Sequence, residues 1–426
     1  MHRLTWAVLL CGSALACFAP ARAQTPVIAN QGVFTRDSDV SVMERPHPEY
    51  DPTPLQFGGF TALPSIDIGA EYNDNIFAAQ SNVRSDGILL LSPKVDVTSN
   101  WSRNAVGGSL QVASRLNDRY STESSTDWQA ALGGRLDLGH AQILIGGDDA
   151  TLTEPRYATN TAINARSPVR YDQSDVFVSA EETQDRVRLA LQFNAQNLDY
   201  HNTVDNSGRF LLEDYRDRWV VTTGVRAEYA LSPGASVFVT GNYDLHSYRL
   251  KPPTVDLDRD ADEERIAAGA NFEISRLIRG ELEAGYLNHV FASSNLKTVG
   301  GFTASGKVEY FPTQLTTVTL VGVQNIQDAG VDGAPVYRAR SAALQLDHEL
   351  LRNLVLTAKV STEDDRYDAL SRHDQLSAAS FGARLLLNRL VTWNIDYSYL
   401  TLDSQGAERG PQYNLNRVVV SASLRF

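Results

Sequence analysis

Cysteine is nearly absent: the 426-residue chain has two, Cys11 and Cys17. Both fall in the opening stretch "MHRLTWAVLLCGSALACFAPARAQ", where Arg3 precedes an apolar run from Leu4 to Ala19 and Ala21-Arg22-Ala23 precedes Gln24. That order of charge, apolar run and small-x-small motif predicts a secretory signal peptide over residues 1–23, cleaved between Ala23 and Gln24. A lipoprotein reading at Cys17 is weaker, because Ala14 stands where leucine is usual. The exported chain is left without cysteine, so disulfides are excluded as its source of stability although its compartment would permit them.

Two further shortages matter. After residue 23 no run approaches the roughly 20 apolar residues of a transmembrane helix. Positive charge is also scarce, with 36 basic residues against 51 acidic ones after the leader, a net charge near −15. Nucleic acid, which demands a basic face, is therefore excluded as a partner. Mean hydropathy is −0.26, close to a soluble protein's value. A membrane barrel remains compatible with that figure, because it needs only every second residue apolar.

What the chain does have is alternation. Residues 24–62 form a separate Pro-rich segment, with four prolines between 46 and 54 and no sustained period. It reads as an extended periplasmic stretch. From Leu63 onward, two-residue periodicity returns about every 20 residues. In "DRVRLALQFNAQ", Val187, Leu189, Leu191, Phe193 and Ala195 oppose Arg186, Arg188, Gln192, Asn194 and Gln196. In "LVTWNIDYSYL", Val391, Trp393, Ile395, Tyr397 and Tyr399 oppose Thr392, Asn394, Asp396 and Ser398. Such stretches are strands with one dry and one wet face.

Eight short connections, from 102–105 to 387–390, alternate with nine longer polar ones, from 75–86 to 403–411. Seventeen connections imply about 18 strands. An even number, short turns on one side and long loops on the other are the outer-membrane pattern, which predicts an all-β, antiparallel, up-and-down transmembrane β-barrel over residues 63–426. The last strand, "NRVVVSASLRF", would then meet the first and close the sheet. Trp128, Trp219, Tyr72, Tyr243, Tyr286, Tyr397 and Tyr399 thread to the outer strand ends, and Trp101, Tyr229, Tyr310, Trp393 and Phe426 to the periplasmic ends. Two such bands are the girdles that sit at headgroup level, whereas mere strand preference would scatter aromatics.

The segments "RPHPEYDP" (45–52), "GGF" (58–60), "LPS" (63–65) and "YNDNIF" (72–77), with the terminal Phe426, resemble the β-barrel porin 2 family of bacterial outer-membrane proteins. The resemblance implies location in the outer membrane of a Gram-negative bacterium, in contact with its lipid and lipopolysaccharide. It also implies export of exopolysaccharide or capsular polysaccharide, delivered by a periplasmic exporter, and recognition of Phe426 by the barrel-assembly machinery. No catalytic residue follows from it.

Nor do the residues point to chemistry. G-x-S-x-G and H-E-x-x-H are missing, and the histidines after the leader (His47, His140, His201, His246, His289, His348, His373) show no metal spacing. In "DLDRDADEE" Asp256, Asp258, Asp260 and Asp262 imitate a calcium loop, but Ala261 and Ala267 stand where glycine and glutamate are required. The expectation is no enzyme, cofactor or metal. The wet face is more informative: Arg115, Arg135, Arg188, Arg226, Arg279, Arg338, Arg340, Arg384, Glu281 and Glu283 thread to a lumen wide enough for water. Arginine forks grip carboxylates and sulfates, so an acidic polysaccharide could slide past them. Paired Arg and Glu could equally do no more than line a wet wall. Two alternatives stand beside export: a general diffusion porin for small solutes, and a non-transporting surface barrel that binds a partner.

Overall fold

The computed structural model describes residues 40–159, 161–162, 164–253 and 257–426. The expected leader and cleavage site lie outside them. A lead-in strand, Leu55–Phe57, turns through Gly58 and Gly59 into the barrel. Gly58 takes φ of +58°, in the left-handed region that favours glycine. The barrel strands are β1 Phe60–Asn73, β2 Asp86–Ser99, β3 Ala105–Asn117, β4 Ser125–Asp137, β5 Ala141–Thr153 and β6 Arg170–Gln184. There follow β7 Val187–Tyr200, β8 Arg218–Ser232, β9 Ala235–Tyr248, β10 Ala261–Ile274, β11 Ile278–Phe291 and β12 Val299–Thr313. The last six are β13 Thr316–Asp328, β14 Val336–Leu351, β15 Leu354–Tyr367, β16 His373–Leu386, β17 Val391–Gln405 and β18 Tyr413–Arg425.

Each strand pairs antiparallel with its sequence neighbours, and β18 pairs with β1 from Ser65↔Arg425 to Asn73↔Arg417. The sheet is thus a closed 18-stranded antiparallel barrel. Closure is what lipid demands, because no water is available there to satisfy an unpaired edge. At the seam the Phe426 amide donates to the Pro64 carbonyl at 3.0 Å. Below that point β18 has ended, and Leu55–Phe57 takes its place against Phe60–Ala62. The barrel therefore begins at Phe60 rather than Leu63. The apolar alternation weakens there, but the Gly58-Gly59 hairpin supplies a partner.

Burial runs opposite to a water-soluble protein. On β7 Val187, Leu189, Leu191 and Phe193 are exposed on the outer wall, while Arg188, Ala190, Gln192, Asn194 and Gln196 are buried inside. The expected aromatics all lie exposed, from Tyr72, Trp219 and Tyr286 at one level to Trp101, Tyr229 and Trp393 at the other. Strands of 13 to 16 residues exceed the roughly 9–11 needed to cross the hydrocarbon. On β9, β11 and β17 the surplus stands beyond Tyr243, Tyr286 and Tyr399.

Leu191 lies between the register levels of Trp219 and Tyr229, near mid-membrane. Leu191→Arg should therefore cost about 2–4 kcal/mol. Ser305→Arg places the same charge inside the barrel, on the rung of Glu283, and should stay within about 1 kcal/mol. Urea unfolding in lipid vesicles measures both. Equal losses would mean that the two faces are wrongly assigned.

Candidate functional site

The lumen is the site, and its charges are paired rather than loose. Arg115 on β3 grips Glu71 on β1 with two bonds of 2.9 and 3.1 Å. A longer band crosses β6 to β12. Glu181 bonds Arg188, which lies 3.6 Å from Glu228. Arg226 lies 3.7 Å from Glu228 and 3.1 Å from Glu281. Thr240 on β9 donates to Glu283 at 3.2 Å, and Arg265 bonds the same carboxylate. Arg279 closes the band on Glu309 at 2.5 Å. Every second residue of each strand faces inward, so opposed rungs bring these groups to one wall. Lys307, on the Glu281 rung, remains more than half exposed to the lumen.

Among the described residues, three segments enter the lumen. The chain after β5 crosses it: Tyr413 of β18 donates to the Tyr157 carbonyl at 2.6 Å, and Arg372, beside β16, donates to the Thr159 carbonyl at 2.7 Å. β5 and β18 are five strands apart, roughly 24 Å along the wall at 4.8 Å per strand. Bonds of this length require the loop to lie across the opening. The β13–β14 tip does the same. Asp328 sits 2.9 Å from His246 on β9 and 3.2 Å from Arg218 on β8, and the Tyr215 hydroxyl donates to the Gly330 carbonyl at 3.2 Å. Ile326 and Val336 of that tip pack on the inward side chains Ala261, Leu287 and Val299.

The third segment enters from the periplasmic end. The Val42 amide donates to Thr317 Oγ1 at 3.0 Å, and Val42 is buried. Glu44 pairs with Arg279 at 2.9 Å, Arg45 with Glu349 at 2.9 Å, and Glu49 with Arg352 at 2.8 Å. Arg389, in the β16–β17 turn, donates to the Pro48 carbonyl at 3.2 Å. Burial pushes the Glu44 carboxyl up, but bonds from Arg279 and Ser41 outweigh it and hold the group below its ordinary 4.5.

A closed 18-stranded cylinder, apolar outside and charged within, is a membrane pore by construction, and its sequence matches one family from residue 47 to residue 426. The chain belongs to the family described as "Putative beta-barrel porin 2". It is an outer-membrane porin of the Gram-negative type. No curated protein matches it. Among solved structures, Pseudomonas aeruginosa OccK2 (OpdF) in complex with glucuronate is 12% identical with a TM-score of 0.49, covering 86% of this chain and 98% of that one. Pseudomonas aeruginosa OpdK is 10% identical with a TM-score of 0.48, covering 86% and 99%. Acinetobacter baumannii OccAB2 is 11% identical with a TM-score of 0.47, covering 87% and 100%.

In this porin Arg115, Arg135, Arg188, Arg226, Arg279, Arg384, Glu281 and Glu283 share inward strand positions. Arg135 donates to the Arg103 carbonyl at the periplasmic turn. Arg340 departs from the expectation. It lies on the same face of β14 as the outward Leu344 and Leu346, while Ala339 and Ser341 point inward. Arg340 stands on the Asp364 and Gln375 rung, four residues beyond the Leu344 rung that Tyr399 shares. Beyond the roughly 25 Å apolar band an outward side chain meets headgroups, not hydrocarbon, so charge is tolerated there. Arg338, farther along β14, follows the tip inward: its guanidinium lies against the inward side of Gly301, reaching the Gly300 carbonyl at 3.1 Å and Asp368 at 3.2 Å.

The histidines were not expected to converge. His246 on β9 and His289 on β11 nevertheless stand with their rings 5.1 Å apart, next to Glu263 on β10. The signal available in the sequence was parity, since each occupies an inward position of its strand. Of the calcium-like run, Asp256 lies outside the described residues, and Asp260 caps the Tyr248 amide at 2.6 Å.

Proposed function

We propose that this porin is a selective diffusion channel for small polar solutes, with its extracellular half narrowed by the Tyr157 loop and the β13–β14 tip. The observation that carries this reading is the pair of bonds from Tyr413 and Arg372 to backbone carbonyls of a loop that leaves the wall five strands away. A loop tied at both ends across an opening limits the cross-section of whatever passes. Beneath it, the paired band from Glu181 to Glu309 keeps the wall polar and hydrated. Of the band's cations Lys307 stands most open to passing carboxylates, while Arg188, Arg226 and Arg279 are held by Glu181, Glu281 and Glu309 and keep the net attraction small. A solute would therefore be handed along by weak contacts rather than bound.

Export of an acidic polysaccharide with a periplasmic exporter is the second reading. It is favoured by the chain at the periplasmic mouth, which would have to move aside for a polymer. Vesicle swelling with the purified barrel separates the two. Uptake of monosaccharides, amino acids and short dicarboxylates, with exclusion of dextran, is expected. Absence of small-solute uptake, together with loss of extracellular polymer on deleting the gene, would replace the first reading by the second.

A further inference from the structure

We propose that His246, Glu263 and His289 form a site for one divalent transition-metal ion of the zinc, copper or nickel class. The three residues sit on adjacent strands. Glu263 and His289 are directly opposed across β10 and β11, and His246 opposes Ala261, two residues from Glu263 on the same face. One ligand atom from each lies within 4.8 Å of the others.

The imidazoles are already oriented. His246 Nδ1 lies 2.9 Å from Asp328 Oδ2, which leaves Nε2 as its ligand atom. His289 Nδ1 lies 3.0 Å from Glu263 Oε2. Its Nε2 is buried without a hydrogen-bond partner, in a residue only 1% exposed. A buried imidazole nitrogen left unsatisfied is costly unless something completes it, and a metal ion does so. Asp244 Oδ1, on the rung of Glu263, is a second buried oxygen without a partner.

Charge agrees. Asp244, Glu263 and Asp328 face the site, Arg218 offsets Asp328, and Arg265 is engaged by Glu283. Two nitrogens and a carboxylate suit a borderline transition ion, whereas calcium and magnesium prefer oxygen alone. Three protein ligands leave a fourth position for water or a solute. Because Asp328 belongs to the inward-folded tip, an ion here would also fasten that tip to the wall.

Cobalt(II) is the probe. The full barrel in detergent, stripped with chelator, should take up one Co²⁺ with visible ligand-field bands, displaced by Zn²⁺. The double variant His246→Gln, His289→Gln should bind at least about tenfold more weakly. His373→Gln, altered on the outer wall, should leave binding unchanged. Heat-dependent gel mobility reports whether each barrel is folded. Should the double variant not fold, X-ray absorption of the Co²⁺-loaded parent decides, with two imidazoles expected in the ligand shell. An oxygen-only shell, or equal binding by parent and double variant, would overturn the proposal.

Discussion

Removal of residues 413–426 is expected to leave no folded barrel in the outer membrane. β18 holds nine register pairs with β1 and twelve with β17, so its loss exposes two strand edges at once. In water such edges would be solvated. In hydrocarbon each unsatisfied N–H or C=O costs several kcal/mol, and no alternative partner is present. Re-pairing β1 with β17 would not restore what is lost, because the two run parallel and would have to form a new, weaker ladder in place of two antiparallel ones. The measurement is the fast-migrating, heat-modifiable band in outer-membrane fractions. A normal band from the truncated chain would sink this account of closure. Phe426→Ala is a milder change. It keeps the backbone bond from residue 426 to Pro64 and removes only the ring, so the barrel should fold in vitro. If the ring is what the assembly machinery reads, the amount assembled in cells should fall several-fold.

Deleting residues 24–52 should raise single-channel conductance by about twofold or more, because residues 40–52 occupy the periplasmic end of the bore. The contacts run from Thr317 and Arg279 on one side to the Arg389 turn on the other, so the segment lies along the mouth instead of hanging free. Apart from the buried Val42, its named ties are polar, and the Glu44–Arg279 and Glu49–Arg352 pairs are partly or largely open to water. Such pairs contribute little each and are screened by salt. Openings of the intact channel should therefore become more frequent as ionic strength rises. The pH effect has a definite sign. Glu44 is held below 4.5 while docked, so its contribution is complete above that value and disappears as the pH falls through the lowered one. Acidification should thus favour the open form, and Glu44→Gln should remove that part of the response. Planar-bilayer recordings test all three. Identical conductance with and without the segment would show that it does not obstruct the path.

Much of the barrel was legible beforehand because lipid imposes a rule on single residues. Leu189 and Leu191 must face outward and Arg188 and Gln192 inward, whatever lies elsewhere in the chain, and the period of two records it. Short turns against long loops gave the strand count for a similarly local reason. The failures have one cause. Arg340 carries the outward parity, but charge there was read as a mark of the lumen, and parity alone does not tell where along a strand the hydrocarbon ends. The convergence of His246, Glu263 and His289 lay hidden because residues 43 apart in the chain have no fixed spacing until three strands are set side by side.

Sequence alone determined the cylinder: alternation states which side chains meet lipid, and backbone hydrogen bonding in lipid then permits only a closed sheet. Tertiary structure decided what fills it. Whether the Tyr157 loop, the Asp328 tip and the Val42 segment turn inward depends on single bonds to strands far away in the chain, and no periodic pattern encodes a contact of that kind.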